Sequence, residues 1–321
     1  MSLWNAAEAE AATLGKAGAP FAVDGLSIDT RTLKPGDLFV ALKGEARDGH
    51  DFVAAAFQAG AGAALVSRAV AGGATLTVAH TQRGLEDLAT AARARARAKV
   101  VAVTGSAGKT TTKEILRLCF DALGATHVSA ASYNNHWGVP LALAALPRDA
   151  EYGVFEVGMN HFGEIRSLTG MVRPHIAVIT TIAPAHLEFF GNEDAIADAK
   201  SEIFEGLEPG GAALIPADNP HAARLIARAS QAGVARLVRF GEKEGSEARR
   251  TVFRARYRLA LKGTERGKWE MDITEEADAP TVTVDEVVRG VLQRAGDEEE
   301  PERLSASDLR TLVADEPWSS G

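Results

Sequence analysis

The sequence predicts an α/β protein: a small mixed α/β N-terminal domain, a doubly wound central domain with a parallel sheet and a phosphate-binding loop, and a short β-hairpin and helix tail. Three observations predict it. Between residues 99 and 241, short apolar runs alternate with helix-like segments. One of those runs enters a glycine loop, "TGSAGKT" at 104–110. Beyond residue 245, strict apolar–polar alternation replaces the continuous runs.

In the N-terminal region, taken as residues 1–82, "GLSIDTR" (25–31) and "DLFVAL" (37–42) read as strands parted by the turn "KPG". "GHDFVAAAFQAGAG" (49–62) reads as a helix closed by glycine, and "AALV" (63–66) and "TLTVAH" (75–80) as short buried strands. "GLEDLATAARARARAK" (84–99) is an alanine-rich connecting helix. Its Arg93, Arg95 and Arg97 are expected on a solvated face.

In the central region, 83–245, the apolar runs are "VVAVT" (100–104), "YGVFEVG" (152–158), "HIAVITTI" (175–182), "AALIP" (212–216) and "ARLVRFG" (235–241). Continuous runs mark strands buried on both faces, as in a parallel sheet. Helices between them make the pattern doubly wound, and such sheets bind ligands at the carboxyl ends of their strands. In the tail, 246–321, "FRARYRLALK" (253–262) and "KWEMDIT" (268–274) alternate around the turn "GTERG". They predict a hairpin with Arg254, Arg256 and Arg258 opposite Glu270 and Asp272. "VDEVVRGVLQRAG" (284–296) reads as a helix and "DEEEPER" (297–303) as a solvated linker.

Bulk properties bound the function. A length of 321 residues suits two or three domains. A formal net charge of −8 argues against nucleic acid as the main partner. One cysteine, Cys119, excludes an internal disulfide framework and fits a reducing compartment. The N-terminus has acidic residues and no basic start before an apolar run, so no secretory signal is expected. No segment reaches the ~20 apolar residues of a membrane span. These features predict a cytoplasmic protein.

The glycine loop carries the chemistry. A buried strand runs into Thr104, Gly105, Ser106, Ala107, Gly108, Lys109, Thr110 and Thr111, and a helix follows. Ile115, Leu118, Cys119, Ala122 and Leu123 form that helix's apolar stripe, and Gly124 closes it. Loop amides and a helix N-terminus favour an anion. Lys109 is expected to neutralise phosphate oxygens and the Thr110 hydroxyl to ligate Mg²⁺. The usual pattern requires glycine where this chain has Val103.

"VAVTGSAGKTTTKE" resembles the ATP loop of the Mur ligases, which also lack that first glycine. Ala107 stands where these ligases often have asparagine. "SIDTRTLKPGDLFVALKGEARDGHDF" (27–52) is similar to the family's UDP-binding domain. "YNNHWGVPLAL" (133–143), "FEVGMNHFGEI" (155–165), "VRPHIAVITTIAPAHLEFFG" (172–191) and "AIADAKSEIFEGL" (195–207) resemble its central domain. The resemblance implies an ATP-dependent amide-bond ligase of peptidoglycan precursor synthesis. It implies UDP-N-acetylmuramoyl-tripeptide, D-alanyl-D-alanine and ATP as substrates, Mg²⁺, and a monomer. A sister ligase adding another amino acid and a non-catalytic nucleotide-binding protein are the alternatives.

Site residues follow from the same resemblance, beside what the residues say alone. Glu156 lies in an apolar strand, where a carboxylate needs a partner; the family motif makes it a Mg²⁺ ligand. His186 in "APAHLE" matches the second metal position. Ile196, Lys200 and Phe204 are spaced four apart, so Lys200 shares an apolar helix face. It is either a snorkelling lysine or a buried amine with a lowered pKa. The match implies a carbamylated lysine that helps hold the second metal. Asn134 and Asn135 match asparagines near the ATP phosphates, and either could be a turn residue. Ile28, Thr30, Glu45, Ala46 and Arg47 match the uridine-holding positions, while Asp29 and Arg31 can serve the strand–turn architecture. After about residue 245 no family motif is found, and the C-terminal domain that closes these ligases is not recognisable. An open site that binds nucleotide better than it turns over is the expectation.

Overall fold

The computed structural model describes residues 2–130, 133–185, 187–241, 246, 248–249, 257–263 and 269–275. Met1–Val238 pack as one compact unit, and Arg239–Gly321 form a second. No helix among the described residues is long and apolar enough to cross a membrane.

The first unit opens with β1 (Trp4–Asn5), α1 (Ala6–Thr13), β2 (Lys16–Ala17), β3 (Ala22–Val23), β4 (Gly25–Ser27) and β5 (Asp37–Val40). A 3-10 turn (Gly49–Phe52), α2 (Val53–Gln58), β6 (Ala63–Val66) and β7 (Thr75–Thr77) follow. The strands make a five-stranded sheet in the order β2-β7-β6-β5-β4. It is parallel from β4 to β7, with β2 antiparallel at one edge. β1, β2, β3 and α1 are not foreseen by the sequence reading, because two-residue strands carry no periodicity. "GLSIDTR" pairs only as far as Ser27, because the Asp29 carboxylate turns the chain. It accepts from the Arg31 backbone N–H at 2.9 Å and from its Nε at 3.0 Å.

α3 (Thr81–Arg95) leads into the second sheet. Its elements are β8 (Lys99–Thr104), α4 (Lys109–Asp121), β9 (Thr126–Val128), α5 (Gly138–Ala144), β10 (Tyr152–Glu156), α6 (Glu164–Val172) and β11 (Ile176–Ile179). Then come α7 (Leu187–Phe190), α8 (Glu193–Ser201), a 3-10 turn (Glu202–Gly206), β12 (Ala212–Pro216), α9 (Ala222–Gln231) and β13 (Arg236–Gly241), which begins in this unit. The strand order is β9-β10-β8-β11-β12-β13. β8 pairs in parallel with β10 on one side and β11 on the other. The chain therefore reverses its direction of travel across the sheet at β8, and the crevice beyond that strand's carboxyl end is a topological switch point.

Two expectations about helix faces are overturned. Arg93 is buried, and its guanidinium donates to the carbonyls of Val172 at 2.8 Å and Arg173 at 2.7 Å, where α6 ends. Arg95 lies 3.6 Å over the Trp4 ring. Only Arg97 of the three stands on a solvated face. The apolar stripe of α4 also fails to face the core: Ile115 is 55% exposed, and Leu118 and Leu123 are exposed too. The buried residues of α4 are Lys113 and Phe120, with Leu116 partly buried beside them. Phe120 stacks on Tyr152 with ring centroids 4.7 Å apart.

In the second unit, the end of β13 pairs in parallel with β14 (Ala248–Arg249). β15 (Tyr257–Gly263) and β16 (Trp269–Glu275) form the expected antiparallel hairpin. Its register sets Arg258 opposite Thr274, Ala260 opposite Asp272 and Lys262 opposite Glu270, so Arg258 stands directly opposite neither expected residue. Arg254, Arg256 and the segments 284–296 and 297–303 lie outside the described residues.

Candidate active site

The glycine loop sits at the switch point, between the end of β8 and the first turn of α4. Gly105 has φ +151° and Gly108 has φ +81°, both in the region that favours glycine. A Cβ at Gly105 would also run into the Thr180 hydroxyl. The loop is laced to the segment after β11. Ser106 N–H donates to the Thr181 carbonyl at 2.9 Å, Ser106 Oγ to the Ala183 carbonyl at 2.9 Å, and Thr180 Oγ1 to the Ala107 carbonyl at 2.6 Å. Lys109 Nζ donates to the Gly105 carbonyl at 2.9 Å, arching over the loop. Ala107, Gly108, Thr110 and Thr111 are exposed, so the loop is open to a ligand. Thr104 differs: its hydroxyl is buried without a hydrogen-bond partner.

Glu156 ends β10 and is 2% exposed. Its Oε2 accepts from Thr110 Oγ1 at 2.9 Å and its Oε1 from Asn134 Nδ2 at 2.8 Å. The pairing that a carboxylate in an apolar strand demands is thus supplied by two residues also singled out in the sequence. The chemistry of this oxygen set fits Mg²⁺, which takes one or two protein oxygens and completes its shell with water and phosphate oxygens. Asn135 Oδ1 accepts from the backbone N–H groups of Trp137 at 3.1 Å and Gly138 at 2.9 Å, a turn role at the start of α5.

Lys200 lies on α8 and is 2% exposed, with Ile196 and Phe204 buried on the same face. Burial, and then the charge of Lys109, lower its pKa from the ordinary 10.5 to about 7. It lines a cavity of about 830 Å³ together with Lys109, Asn134, Asn135, Glu45 and the segment 158–164. The cavity therefore gathers residues that are far apart in sequence. His186 lies outside the described residues. Of the uridine candidates only Glu45 reaches the cavity wall; Ile28 packs against the core, Thr30 is half-buried, and Ala46 and Arg47 are exposed.

Several residues behind or beside the site escape the sequence reading. Lys113 is buried and donates from Nζ to the Ser129 carbonyl at 2.8 Å, while Ser129 Oγ accepts from the Glu156 backbone N–H at 3.3 Å. Its signal is its place four residues after Lys109, on the same helix face. On the rim, Glu164 accepts from the backbone N–H groups of Asn160 at 2.6 Å and His161 at 3.2 Å.

The fold and loop define an α/β phosphate-binding-loop protein with a buried carboxylate and a buried amine beside the loop. Comparison with known families narrows the class. The model described as the Mur ligase middle domain matches residues 103–274, and that of the Mur ligase family catalytic domain matches 22–115. The chain belongs to the Mur ligase family. The first match runs past residue 245, beyond which the sequence reading finds no family motif, and ends at 274, within the hairpin's second strand. The chain is 44% identical over 203 residues to the UDP-N-acetylmuramoyl-tripeptide--D-alanyl-D-alanine ligase of Escherichia coli (strain K12), covering 63% of this chain and 45% of that one. It is 39% identical over 202 residues to the enzyme of that name from Bacillus subtilis (strain 168), covering 62% and 44%. A crystal structure of MurF from Acinetobacter baumannii matches with a TM-score of 0.67 and 37% identity, over 76% of this chain and 54% of that chain. The MurF ligase of Thermotoga maritima in complex with ADP matches with a TM-score of 0.62 and 25% identity, over 86% and 64%. The chain spans about half the length of the curated relatives it matches.

Proposed function

We propose that the chain carries the precursor-binding and ATP-binding parts of a ligase that joins D-alanyl-D-alanine to UDP-N-acetylmuramoyl-tripeptide in peptidoglycan precursor synthesis. The observation behind this reading is the shared cavity: Lys109, Asn134 and the buried Lys200 amine line it, and Asn134 hydrogen-bonds the Glu156 carboxylate that Thr110 also holds. The relatives named for this reaction support the choice of substrates. In this reading residues 1–82 hold the UDP moiety through Ile28, Thr30 and 45–47, and residues 83–245 hold ATP. The enzyme is taken as bacterial and cytoplasmic, since its substrates are cytoplasmic nucleotides, and as a monomer from its family resemblance.

The reaction asks for charge neutralisation and positioning. An oxygen of the tripeptide's terminal carboxylate attacks the γ-phosphorus, and ADP leaves. The dipeptide's amine nitrogen then attacks the acyl carbon, loses a proton, and inorganic phosphate leaves. Lys109, the loop amides and the α4 N-terminus hold phosphate charge. Thr110 and Glu156 would hold Mg²⁺, which supplies further charge neutralisation when bound. An amine with a pKa near 7 is about half neutral at neutral pH, and the neutral form can add to CO₂. The new N–C bond gives a carbamate and releases one proton. Lys200 so modified would offer oxygens to a second metal, and the family motif would make His186 a further ligand.

The test is a coupled assay with tripeptide precursor, D-alanyl-D-alanine and ATP. Phosphate release that depends on all three, slow beside that of a full-length ligase, with the pentapeptide identified by mass, is the expected result. A product formed only with a different amino acid points to a sister ligase. ATP binding with no acceptor-dependent turnover points to a non-catalytic nucleotide-binding protein.

A further inference from the structure

We propose that His50 is a positioning residue: held as one neutral tautomer between Asp48 and Ser67, it clamps the 43–48 loop to the end of β6 and so sets where Glu45 stands at the cavity wall. The inference rests on the reading above, in which the 45–47 segment meets the UDP moiety of the precursor.

The loop is a tight excursion between β5 and the 3-10 turn. Its neck is closed by the Lys43–Asp48 bridge and by Gly49 N–H donating to the Leu42 carbonyl at 2.7 Å. Within it, Gly44 N–H donates to the Arg47 carbonyl at 2.9 Å. Its tip, 45–47, is exposed, so apolar packing does not fix it. What fixes the base is Asp48. Its Oδ1 accepts from the His50 backbone N–H at 2.9 Å and lies 2.6 Å from His50 Nδ1; Arg68 and Asp51 are the other charged groups beside it.

The other ring nitrogen determines the tautomer. Ser67 N–H reaches His50 Nε2 at 2.9 Å. A backbone N–H can only donate, so Nε2 holds a lone pair and the proton sits on Nδ1, donated to Asp48. The His50 side chain is 3% exposed, which shields both bonds from water. The order Asp48–His50–Ser67 has the look of a nucleophile relay, with Ser67 Oγ 3.2 Å from Nε2. That lone pair is already engaged by the Ser67 amide, so the ring ties two segments of chain together and does not activate the hydroxyl.

The experiment compares His50→Ala and His50→Gln with the wild type in the full chain. Calorimetry measures affinity for UDP-N-acetylmuramoyl-tripeptide and, separately, for ATP–Mg²⁺. His50→Ala is expected to weaken precursor binding by about tenfold, the scale of one lost buried hydrogen bond, and to leave ATP within about twofold. His50→Gln, whose amide oxygen can replace Nε2 as acceptor, is expected to restore part of the loss. Wild-type precursor affinity in His50→Ala overturns the inference. So does an equal loss of both ligands in the two variants with a lowered Tm, which marks a general folding role. If the wild type itself does not bind the precursor, the underlying reading fails and the clamp's role with it. A substitution-free check is the ¹⁵N spectrum of the imidazole: Nδ1 protonated and Nε2 bare is expected, and the opposite tautomer refutes the clamp.

Discussion

Replacing Lys200 with methionine is expected to stabilise the metal-free protein while abolishing the proposed ligase activity. The amine is 2% exposed, and burial, then the charge of Lys109, carry it from the ordinary 10.5 down to about 7. That gap, at about 1.4 kcal/mol per tenfold, sets a ceiling of roughly 5 kcal/mol on the cost of keeping the charged form inside. Local relaxation and water entry lower this, so a gain of about 2 kcal/mol is expected for a methionine that keeps the stem's apolar contacts. The pH dependence has a definite sign. Below about pH 7 the amine is charged whether folded or unfolded, and the full cost is present. Between about 7 and 10.5 the unfolded chain binds a proton that the folded chain has released, so wild-type stability rises with pH relative to the variant. The variant's advantage is therefore largest near neutrality and below, and fades towards the ordinary lysine pKa.

Urea unfolding midpoints of both proteins from about pH 6 to about pH 10, in metal-free and CO₂-free buffer, measure this directly. Other titrating groups cancel in the difference. A variant less stable than the wild type at about pH 6, or an advantage independent of pH, refutes the reasoning, because either outcome means that the amine is not desolvated.

Other perturbations have equally definite outcomes. Lys109→Ala is expected to weaken ATP–Mg²⁺ binding at least about tenfold by calorimetry, because the ammonium arched over the loop is lost; unchanged binding means the phosphates sit elsewhere. Gly105→Ala places a Cβ against the Thr180 hydroxyl at a backbone angle that only glycine adopts freely, and both Tm and ATP affinity should fall. Glu156→Gln keeps the shape but puts an amide donor among the Thr110 and Asn134 donors, so the Mg²⁺ dependence of ATP binding should disappear in a titration with and without the metal. Phe120→Ala is expected to cost about 3 kcal/mol in urea unfolding, and Ile115→Ala less than about 1 kcal/mol; the reverse order would restore the amphipathic reading of α4.

That last pair marks where the sequence is legible and where it is not. Strands buried on both faces announce themselves as apolar runs, and "AALIP" matches β12 residue for residue. The inward face of α8 is equally plain, because Ile196, Lys200 and Phe204 recur at the helical period and all are buried. On α4 the same logic fails. The stripe Ile115, Leu118, Cys119, Ala122 and Leu123 has the expected spacing, yet Ile115, Leu118 and Leu123 are exposed. The rotation of this helix is set by its first residue. Lys109 must bend back over the glycine loop and Thr110 must reach Glu156, so the positions four, seven and eleven beyond Lys109 turn inward. Those are Lys113, Leu116 and Phe120, and a buried lysine among them hides the pattern from any count of apolar residues. Arg93 is concealed for a similar reason. Its burial is decided by carbonyls at the end of α6, almost eighty residues away, and its own neighbours in sequence carry no trace of them. Local composition thus reports the sheet, whereas the loop's demand for a correctly aimed lysine and hydroxyl fixes the helix beside it. The site dictates this part of the packing, and the exposed stripe on α4 follows from that order of priority.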